Sequence, residues 1–245
     1  MIETKPGERI DDLMNTGLKI IQSKEVFSFS LDAVLLAHFV YVPILKGGIL
    51  DLCTGNGVIP LLLSKRTKGD ITGVDIQARL CDMAERSVRL NRLDDRIRIL
   101  CEDVKRLPEV LGHGVFNVVT CNPPYFSSRE AHIKNPNPFY AIARHEICLT
   151  LDEAVAAASR LVRQKGKVAF IHRPDRLEEL LSSMRAHRLA PKRLQFVHPR
   201  KDGAANMVLV EAIKDGQTGI KVLPPLTVYD EHGAYTKELL SIING

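Results

Sequence analysis

Short β-branched runs alternate with helix-length amphipathic stretches from residue 49 to residue 171, and this alternation limits the fold more than any other feature. Strands separated by helices run parallel in one sheet, and the helices cover its faces. The pattern predicts strands at Ile49–Leu52, Ile71–Asp75, Ile97–Leu100, Val115–Cys121, Lys167–Ile171, Leu194–His198 and Met207–Ala212. It predicts helices over Val58–Lys65, Ala78–Asn91, Pro108–Leu111, Leu151–Arg163 and Arg176–His187. One further helix, Leu31–Val42, precedes the first strand and is started by Ser30 or Asp32; another, Lys237–Ile243, lies near the end. In Ala78–Asn91, Leu80, Met83, Ala84, Val88 and Leu90 lie largely on one face, with arginines opposite. The loop Pro199–Asn206 is too short for a crossover helix, so the last two strands form an antiparallel hairpin. The expected architecture is α/β, a Rossmann-like, seven-stranded, mostly parallel sheet with a C-terminal antiparallel hairpin. It forms one domain over residues 1–245, with an N-terminal extension (1–45), a core (46–213) and a tail (214–245) in which Pro224-Pro225 blocks regular structure.

With 45% hydrophobic and 26% charged residues, a chain of 245 buries a core without disulfide or metal staples, which excludes a disordered or fibrous chain. The longest apolar stretch, Ala33–Leu45, is broken by His38 and Pro43 and is too short to span a bilayer. The first residues lack a basic start followed by an apolar run, so no secretory signal is expected. Cys53, Cys81, Cys101, Cys121 and Cys148 are widely spaced and form no C-x-x-C pair. That speaks against a zinc site or disulfide framework and for a reducing cytoplasm. The histidines show no metal-ligand spacing, and no metal is expected. The net charge of +5 permits a nucleic-acid partner without demanding one.

The segment Asp51-Leu52-Cys53-Thr54-Gly55-Asn56-Gly57 closes the first core strand and opens a helix. Glycines there let the backbone take positive φ and approach a ligand, and the free amides of the next helix face it. Asp75 ends the second core strand, where a carboxylate accepts both hydroxyls of a ribose; Asp103 follows the third and accepts an adenine amino group. Thr54, Ile76 and Val104 complete the expected contacts. Together these positions describe an adenosine pocket. A nicotinamide dinucleotide is disfavoured, because the third glycine of Gly-x-Gly-x-x-Gly is missing and Asp51 stands before the glycines, placed for a cofactor amine. A cofactor with a positive amine and no pyrophosphate fits better, which points to S-adenosyl-L-methionine.

Asn122-Pro123-Pro124-Tyr125 follows directly on the fourth core strand. Two prolines stiffen the turn, and the Asn122 side-chain oxygen and Pro123 carbonyl accept both hydrogens of one planar NH2 group. Tyr125 offers a face for a stacked base, worth about 1–3 kcal/mol. Direct methyl transfer to such an amine needs positioning, which supplies roughly 7–11 kcal/mol of a barrier, rather than a metal or covalent intermediate.

These motifs resemble those of class I S-adenosylmethionine-dependent methyltransferases of the amino-methylating group. The chain is most similar to the bacterial tRNA (adenine-N6)-methyltransferase family that modifies the adenine beside the anticodon of valine tRNA. The resemblance rests on Phe29 to Ala37, Asp51 to Pro60, Asn122 to Phe126 and Ala143-Arg144-His145-Glu146, and more loosely on Ala205 to Glu211. It implies Asp51, Gly55 and Gly57 at the methionine end of the cofactor, capped by the Phe29–Asp32 turn with Ser30 and Asp32. It implies Asp75 on the ribose, Asp103 at the adenine, and Asn122 to Tyr125 at the target amine. One departure is Cys53, where the family loop has its first glycine and a cysteine favours ordinary φ.

The Asn-Pro-Pro-Tyr motif also serves protein glutamine N5-methyltransferases, since that amide nitrogen is planar too. Those enzymes carry a separate helical N-terminal domain, and only residues 1–45 precede the core here. A cofactor-binding RNA-interaction protein with little turnover is the other alternative. Basic residues favour RNA, and tRNA first: Arg185, Arg188, Lys192, Arg193, Arg200 and Lys201 lie in a stretch without acids, with Arg185 and Arg188 on one helix face. The substrate contacts expected are Arg188, Lys192 and Arg193, together with Arg144 and His145. The loop Ser127–Tyr140, rich in Ser, Asn and Pro, is expected to wall the target pocket.

Overall fold

The computed structural model describes residues 3–26, 29–43, 45–126, 138–144 and 146–243. A hairpin of β1 (Glu8–Asp12) and β2 (Lys19–Ser23) leads into α1 (Leu31–Phe39). The alternating core then runs β3 (Ile49–Leu52), α2 (Val58–Ser64), β4 (Ile71–Asp75), α3 (Ala78–Leu90), β5 (Ile97–Cys101), α4 (Leu107–Leu111) and β6 (Phe116–Cys121). After it come α5 (Pro138–Arg144), α6 (Leu151–Leu161), β7 (Val162–His172), α7 (Leu177–Ala186), β8 (Leu189–Arg200) and β9 (Met207–Lys214). Two short strands, β10 (Lys221–Val222) and β11 (Leu226–Tyr229), and α8 (Lys237–Ile243) close the chain.

Among the described residues the main sheet has nine strands, ordered β10-β8-β9-β7-β6-β3-β4-β5, with β11 also paired to β8. β3 lies parallel to both β4 and β6, with Leu50 opposite Thr72 on one side and Val119 on the other. All four β3 residues are buried, as a strand covered on both faces requires. β9 runs antiparallel to β7 and to β8, which is the expected C-terminal hairpin. From β3 the chain winds one way through β4 to β5 and the other way to β6 and β7. The reversal between β3 and β6 parts the connecting loops and opens a crevice at the strands' carboxyl ends. Leu35, Ile59, Leu63 and Val88 pack on one sheet face, and Val155, Leu161, Leu180 and Met184 on the other. No helix of the described residues is long and apolar enough to cross a membrane.

Four features differ from the sequence expectation. The β1–β2 hairpin was not foreseen, because β1 (Glu8-Arg9-Ile10-Asp11-Asp12) is mostly polar; only β2 is buried, and Ile21 packs with Leu80 and Met83 of α3. Arg86 does not lie on a solvated face of α3: its guanidinium reaches Glu8 at 2.7 Å and Asp82 at 2.6 Å under the hairpin. β8 extends past both of its prolines, with Pro191 at a register shift where the missing N–H costs no regular ladder bond. Pro224-Pro225 falls in the gap between β10 and β11, so the tail carries regular strands on either side, both parallel to β8.

The tail is part of the core. Leu226, Val228, Leu239 and Ile243 are buried in the same cluster as α1. Leu239→Ala is expected to lower unfolding free energy by about 2–5 kcal/mol, the range for a fully buried leucine. Urea unfolding followed by circular dichroism measures it, and a change under about 0.5 kcal/mol would mean that α8 is not docked.

Candidate active site

A cavity of about 590 Å³ occupies the crevice at the carboxyl ends of the parallel strands. Each strand contributes its following loop: Cys53 to Asn56 after β3, Asp75 to Gln77 after β4, Asp103 and Val104 after β5, and Asn122 to Phe126 after β6. Ser30 and Asp32 at the start of α1 close one side, and Ile142, Ala143, Leu149 and Met207 add apolar wall.

The glycine loop is shaped by three consecutive alternate positions in the left-handed region: Cys53 at φ 58°, Gly55 at 58° and Gly57 at 87°. A Cβ on Gly55 would point into open space, and the Gly55 amide donates to Asp75 Oδ2 at 2.9 Å. A Cβ on Gly57 would come within 3.1 Å of the Ala84 Cβ, so this glycine serves close packing of α2 on α3 and does not line the cavity. Cys53 takes the glycine-like conformation, contrary to the expected ordinary φ, at a cost of roughly 1–2 kcal/mol.

The three acids stand in different settings. Asp51 is fully buried beneath the loop, off the cavity wall, where its Oδ1 accepts from the Thr120 hydroxyl at 2.6 Å. Its Oδ2 and the Thr54 hydroxyl have no partner among the described residues, and burial raises the Asp51 pKa to about 7. Asp75 is on the wall; its oxygens accept from the Gly55 and Gln77 amides, both at 2.9 Å, while burial pushes its carboxyl above the ordinary range. Asp103 caps the short turn Val104–Arg106 through the Lys105 amide. Between them Ile76 presents an exposed apolar side chain, and Gln77 Oε1 is buried without a partner.

Asn122 to Tyr125 face the same cavity. The Tyr125 hydroxyl lies 2.6 Å from Asp32 Oδ2 and 2.5 Å from Asn122 Oδ1, and the Ser30 hydroxyl donates to Asp32 Oδ1. The turn is buttressed from behind. The His172 ring meets the Tyr125 ring edge-on at 5.2 Å, and burial holds this imidazole neutral, with its pKa lowered to about 4. Arg176 donates to the Tyr125 carbonyl at 3.4 Å and pairs with Glu146 at 2.9 Å. Glu146 is thereby spent inside the protein, where it also accepts from the Leu151 amide that opens α6. Arg173 stacks over Phe126 at 4.9 Å.

The basic stretch is divided by the fold. Arg188 is not on the helix with Arg185; it sits in the turn after α7 at φ 63° and bonds Asp215 at 2.8 Å. Lys192 donates to the Gln217 carbonyl at 2.8 Å, and Arg193 pairs with Glu211 at 3.2 Å and covers the Phe39 ring. These three lie just before and along the first half of β8, away from the cavity edge; the tail holds Arg188 and Lys192 through Asp215 and the Gln217 carbonyl, and β9 holds Arg193 through Glu211. Arg200 and Lys201 are exposed at the carboxyl end of β8, on the cavity side of the sheet. Arg144 closes α5, beside the wall residues Ile142 and Ala143; His145 and residues 127–137 of the expected pocket loop lie outside the described residues.

Gln77, Thr120, His172 and Met207 join the site without having been legible as site residues in the sequence. Gln77 alone carried a signal, two residues after the strand-ending acid; the others are brought in by neighbouring strands.

Replacing Cys53 by glycine relieves the left-handed strain but adds backbone freedom to the unfolded chain, so stability is expected to change by less than about 1 kcal/mol. Cys53→Val, β-branched at positive φ, is expected to lose about 2 kcal/mol or more. Thermal unfolding of the pair checks this, and equal stability of the two variants would remove the strain argument.

Comparison with known proteins places this geometry. Residues 17–186 match the family model of the methyltransferase small domain. A tRNA1(Val) (adenine(37)-N6)-methyltransferase from Phocaeicola vulgatus is 28% identical, over 86% of this chain and 86% of its own. A predicted O-methyltransferase from Agrobacterium tumefaciens shares the fold with a TM-score of 0.70 and 24% identity, over 87% of this chain and 95% of that one. Geranyl diphosphate C-methyltransferase from Streptomyces coelicolor, crystallised with S-adenosyl-L-homocysteine, shares it with a TM-score of 0.59 and 16% identity, over 75% and 80%. A parallel sheet that reverses between β3 and β6, a glycine loop at that reversal and a family match over most of the chain lead to one conclusion: the protein belongs to the methyltransferase small domain family.

Proposed function

We propose that the protein transfers a methyl group from S-adenosylmethionine to the N6 amine of an adenine in tRNA. The observation that carries this reading is that the Asn122-Pro123-Pro124-Tyr125 turn opens onto the same cavity as the glycine loop, Asp75 and Asp103. The substrate named for the Phocaeicola relative, and the S-adenosyl-L-homocysteine bound in the Streptomyces fold relative, support it. The cavity also fits the cofactor chemically. The buried, unpartnered Thr54 hydroxyl and Gln77 Oε1 and the raised carboxyl of Asp75 line a space suited to a cationic, hydroxyl-rich ligand, with the raised carboxyl of Asp51 beneath the loop.

In this reading Asp75 takes the ribose hydroxyls, and Asp103 with Ile76 and Val104 holds the adenine. Ser30, Asp32, Thr54 and Gly55 enclose the methionine end, with Gly57 shaping the loop and Asp51 placing negative charge beneath it. When bound, the cofactor would supply an electrophilic methyl on a sulfonium, which leaves as the neutral thioether, and the amine's surplus proton would pass to water. Asn122 and the Pro123 carbonyl accept the two N–H bonds of the target amine, which draws its lone pair out of conjugation. Pro124 stiffens the turn, and the Tyr125 ring stacks on the base. Arg144 and His145, with Arg200 and Lys201 on the carboxyl edge, contact RNA phosphates; Arg188, Lys192 and Arg193 contribute from the more distant face.

Incubation with methyl-labelled S-adenosylmethionine and unmodified tRNA, followed by nucleoside mass spectrometry, is expected to yield N6-methyladenosine. Asn122→Ala is expected to lose at least about 100-fold in kcat with cofactor affinity retained. Label on a release-factor glutamine, with none on RNA, would replace the adenine reading.

A raised carboxyl is protonated in the free protein below its pKa, whereas a cationic ligand favours the ionised form. Cofactor affinity is therefore expected to rise with pH up to about 7, the Asp51 value, with proton uptake by buffer on binding at about pH 6. Titration calorimetry in two buffers of different ionisation enthalpy reads this, and Asp51→Asn is expected to reduce it. Heat independent of buffer would refute the coupling.

Arg200→Ala with Lys201→Ala is expected to weaken tRNA binding and reduce the slope of log affinity against log salt by up to about 2. The Arg188, Lys192, Arg193 triple alanine variant serves as comparison, and an unchanged slope in the first variant would remove the carboxyl edge from the RNA contact.

A further inference from the structure

The Tyr125 hydroxyl sits within hydrogen-bond distance of two acceptor oxygens, Asp32 Oδ2 at 2.6 Å and Asn122 Oδ1 at 2.5 Å. A phenol has one proton to donate. Asp32 supplies no other: its Oδ1 accepts from the Ser30 hydroxyl and from the Ala33 amide at 2.9 Å, and its negative charge bears on the Tyr125 phenol, so Oδ2 is an acceptor too. With Asn122 Oδ1 toward the hydroxyl, three oxygens share a single hydrogen. Turning the Asn122 amide by half a rotation about its last bond leaves its shape unchanged and puts NH2 toward the Tyr125 oxygen. The chain Asn122 NH2 to Tyr125 hydroxyl to Asp32 carboxylate then satisfies each donor and acceptor. Charge-assisted bonds to a carboxylate are about twice as strong as neutral ones, so the phenolic proton goes to Asp32.

We propose that Asp32 is a positioning residue that acts through Tyr125 to turn the Asn122 carbonyl into the cavity, where it accepts from the target amine. This rests on the methyl-transfer reading and adds to it a residue from the start of α1 that sets the polarity of the acceptor on β6. Burial of Tyr125 and the neighbouring Asp32 charge raise its phenol well above the ordinary range, so the hydroxyl keeps the proton the relay needs. The ring is held by the edge-on His172 and by the Arg176 bond to its carbonyl, which leaves the hydroxyl little choice of partner.

Asp32→Asn reverses the relay. The Ser30 hydroxyl and Ala33 amide demand an acceptor at one side-chain atom, so the new amide presents NH2 to Tyr125. The phenol then donates to Asn122 Oδ1 and ties up the carbonyl the substrate requires. With cofactor saturating, D32N is expected to lose about 100-fold in kcat, while Y125F, which only frees the Asn122 amide, loses about 10-fold. The double variant D32N/Y125F is expected to regain activity to near the Y125F level, because no hydroxyl remains to occupy Asn122. A purely cofactor-binding or structural Asp32 gives no such rescue, and D32N/Y125F at or below D32N would overturn the proposal.

A second readout needs no RNA and separates failure of the relay from failure of the methyl-transfer reading. In selectively 15N-asparagine-labelled protein, the Asn122 side-chain NH2 is expected to exchange slowly with water in the wild type and faster in D32N and Y125F. Equal exchange in all three would refute the relay whatever the tRNA assay gives. Slow exchange lost in both variants, with no methylated adenine, would uphold the relay and move the acceptor to another planar amine. If D32N does not fold, D32E, which keeps an acceptor toward Tyr125, is expected to retain the protected amide, and its loss would count against the relay.

Discussion

The parallel pairing of β3 with β4 on one side and β6 on the other is the constraint on which the rest of the structure depends. It buries β3 completely and makes it the strand from which the chain winds both ways. The loops after β3 and β6 therefore part at the sheet's carboxyl edge, and the cavity forms between them. The glycine loop and the Asn122–Tyr125 turn face each other only because of this pairing.

Burial then sets the electrostatics of the site. Thr120 on β6 lies opposite Asp51 on β3 in register, and its hydroxyl donates to that carboxylate. A carboxyl so placed is held closer to neutrality than in water, as its raised pKa shows. Behind the Asn122–Tyr125 turn burial does the same to a base: His172 is kept uncharged, so it packs on Tyr125 as an aromatic ring rather than as a cation. Arg176, by contrast, keeps its charge by pairing with Glu146 and Glu179. The turn thus rests on one neutral ring and one arginine held between two carboxylates.

The alternation of strands and helices was legible because both faces of a parallel sheet are covered, which makes each strand a short apolar block. The first two core strands have the predicted bounds, Ile49–Leu52 and Ile71–Asp75. The limits of β8 were not legible: the expected Leu194–His198 stops short of both Pro191 and Pro199, which the strand includes, the first at a register shift. The β1–β2 hairpin was illegible for a related reason: β1 is a polar ribbon whose charge pairs, such as Glu8 with Arg86, join residues far apart in the chain. The basic stretch looked continuous, yet the fold divides it: the tail takes Arg188 and Lys192, and Glu211 of β9 takes Arg193, in internal bonds.

What the sequence by itself determined was the set of loops that line the site, because glycines, strand-ending acids and a diproline turn act locally on the backbone that carries them. What only the tertiary structure decided was how those loops bear on one another. Asp51 belongs beneath the glycine loop and not on the wall, Cys53 accepts a glycine's conformation, and Asp32 reaches Tyr125 across the cavity. These depend on which strands lie side by side, and strand order follows from packing over the whole chain, which no local pattern encodes.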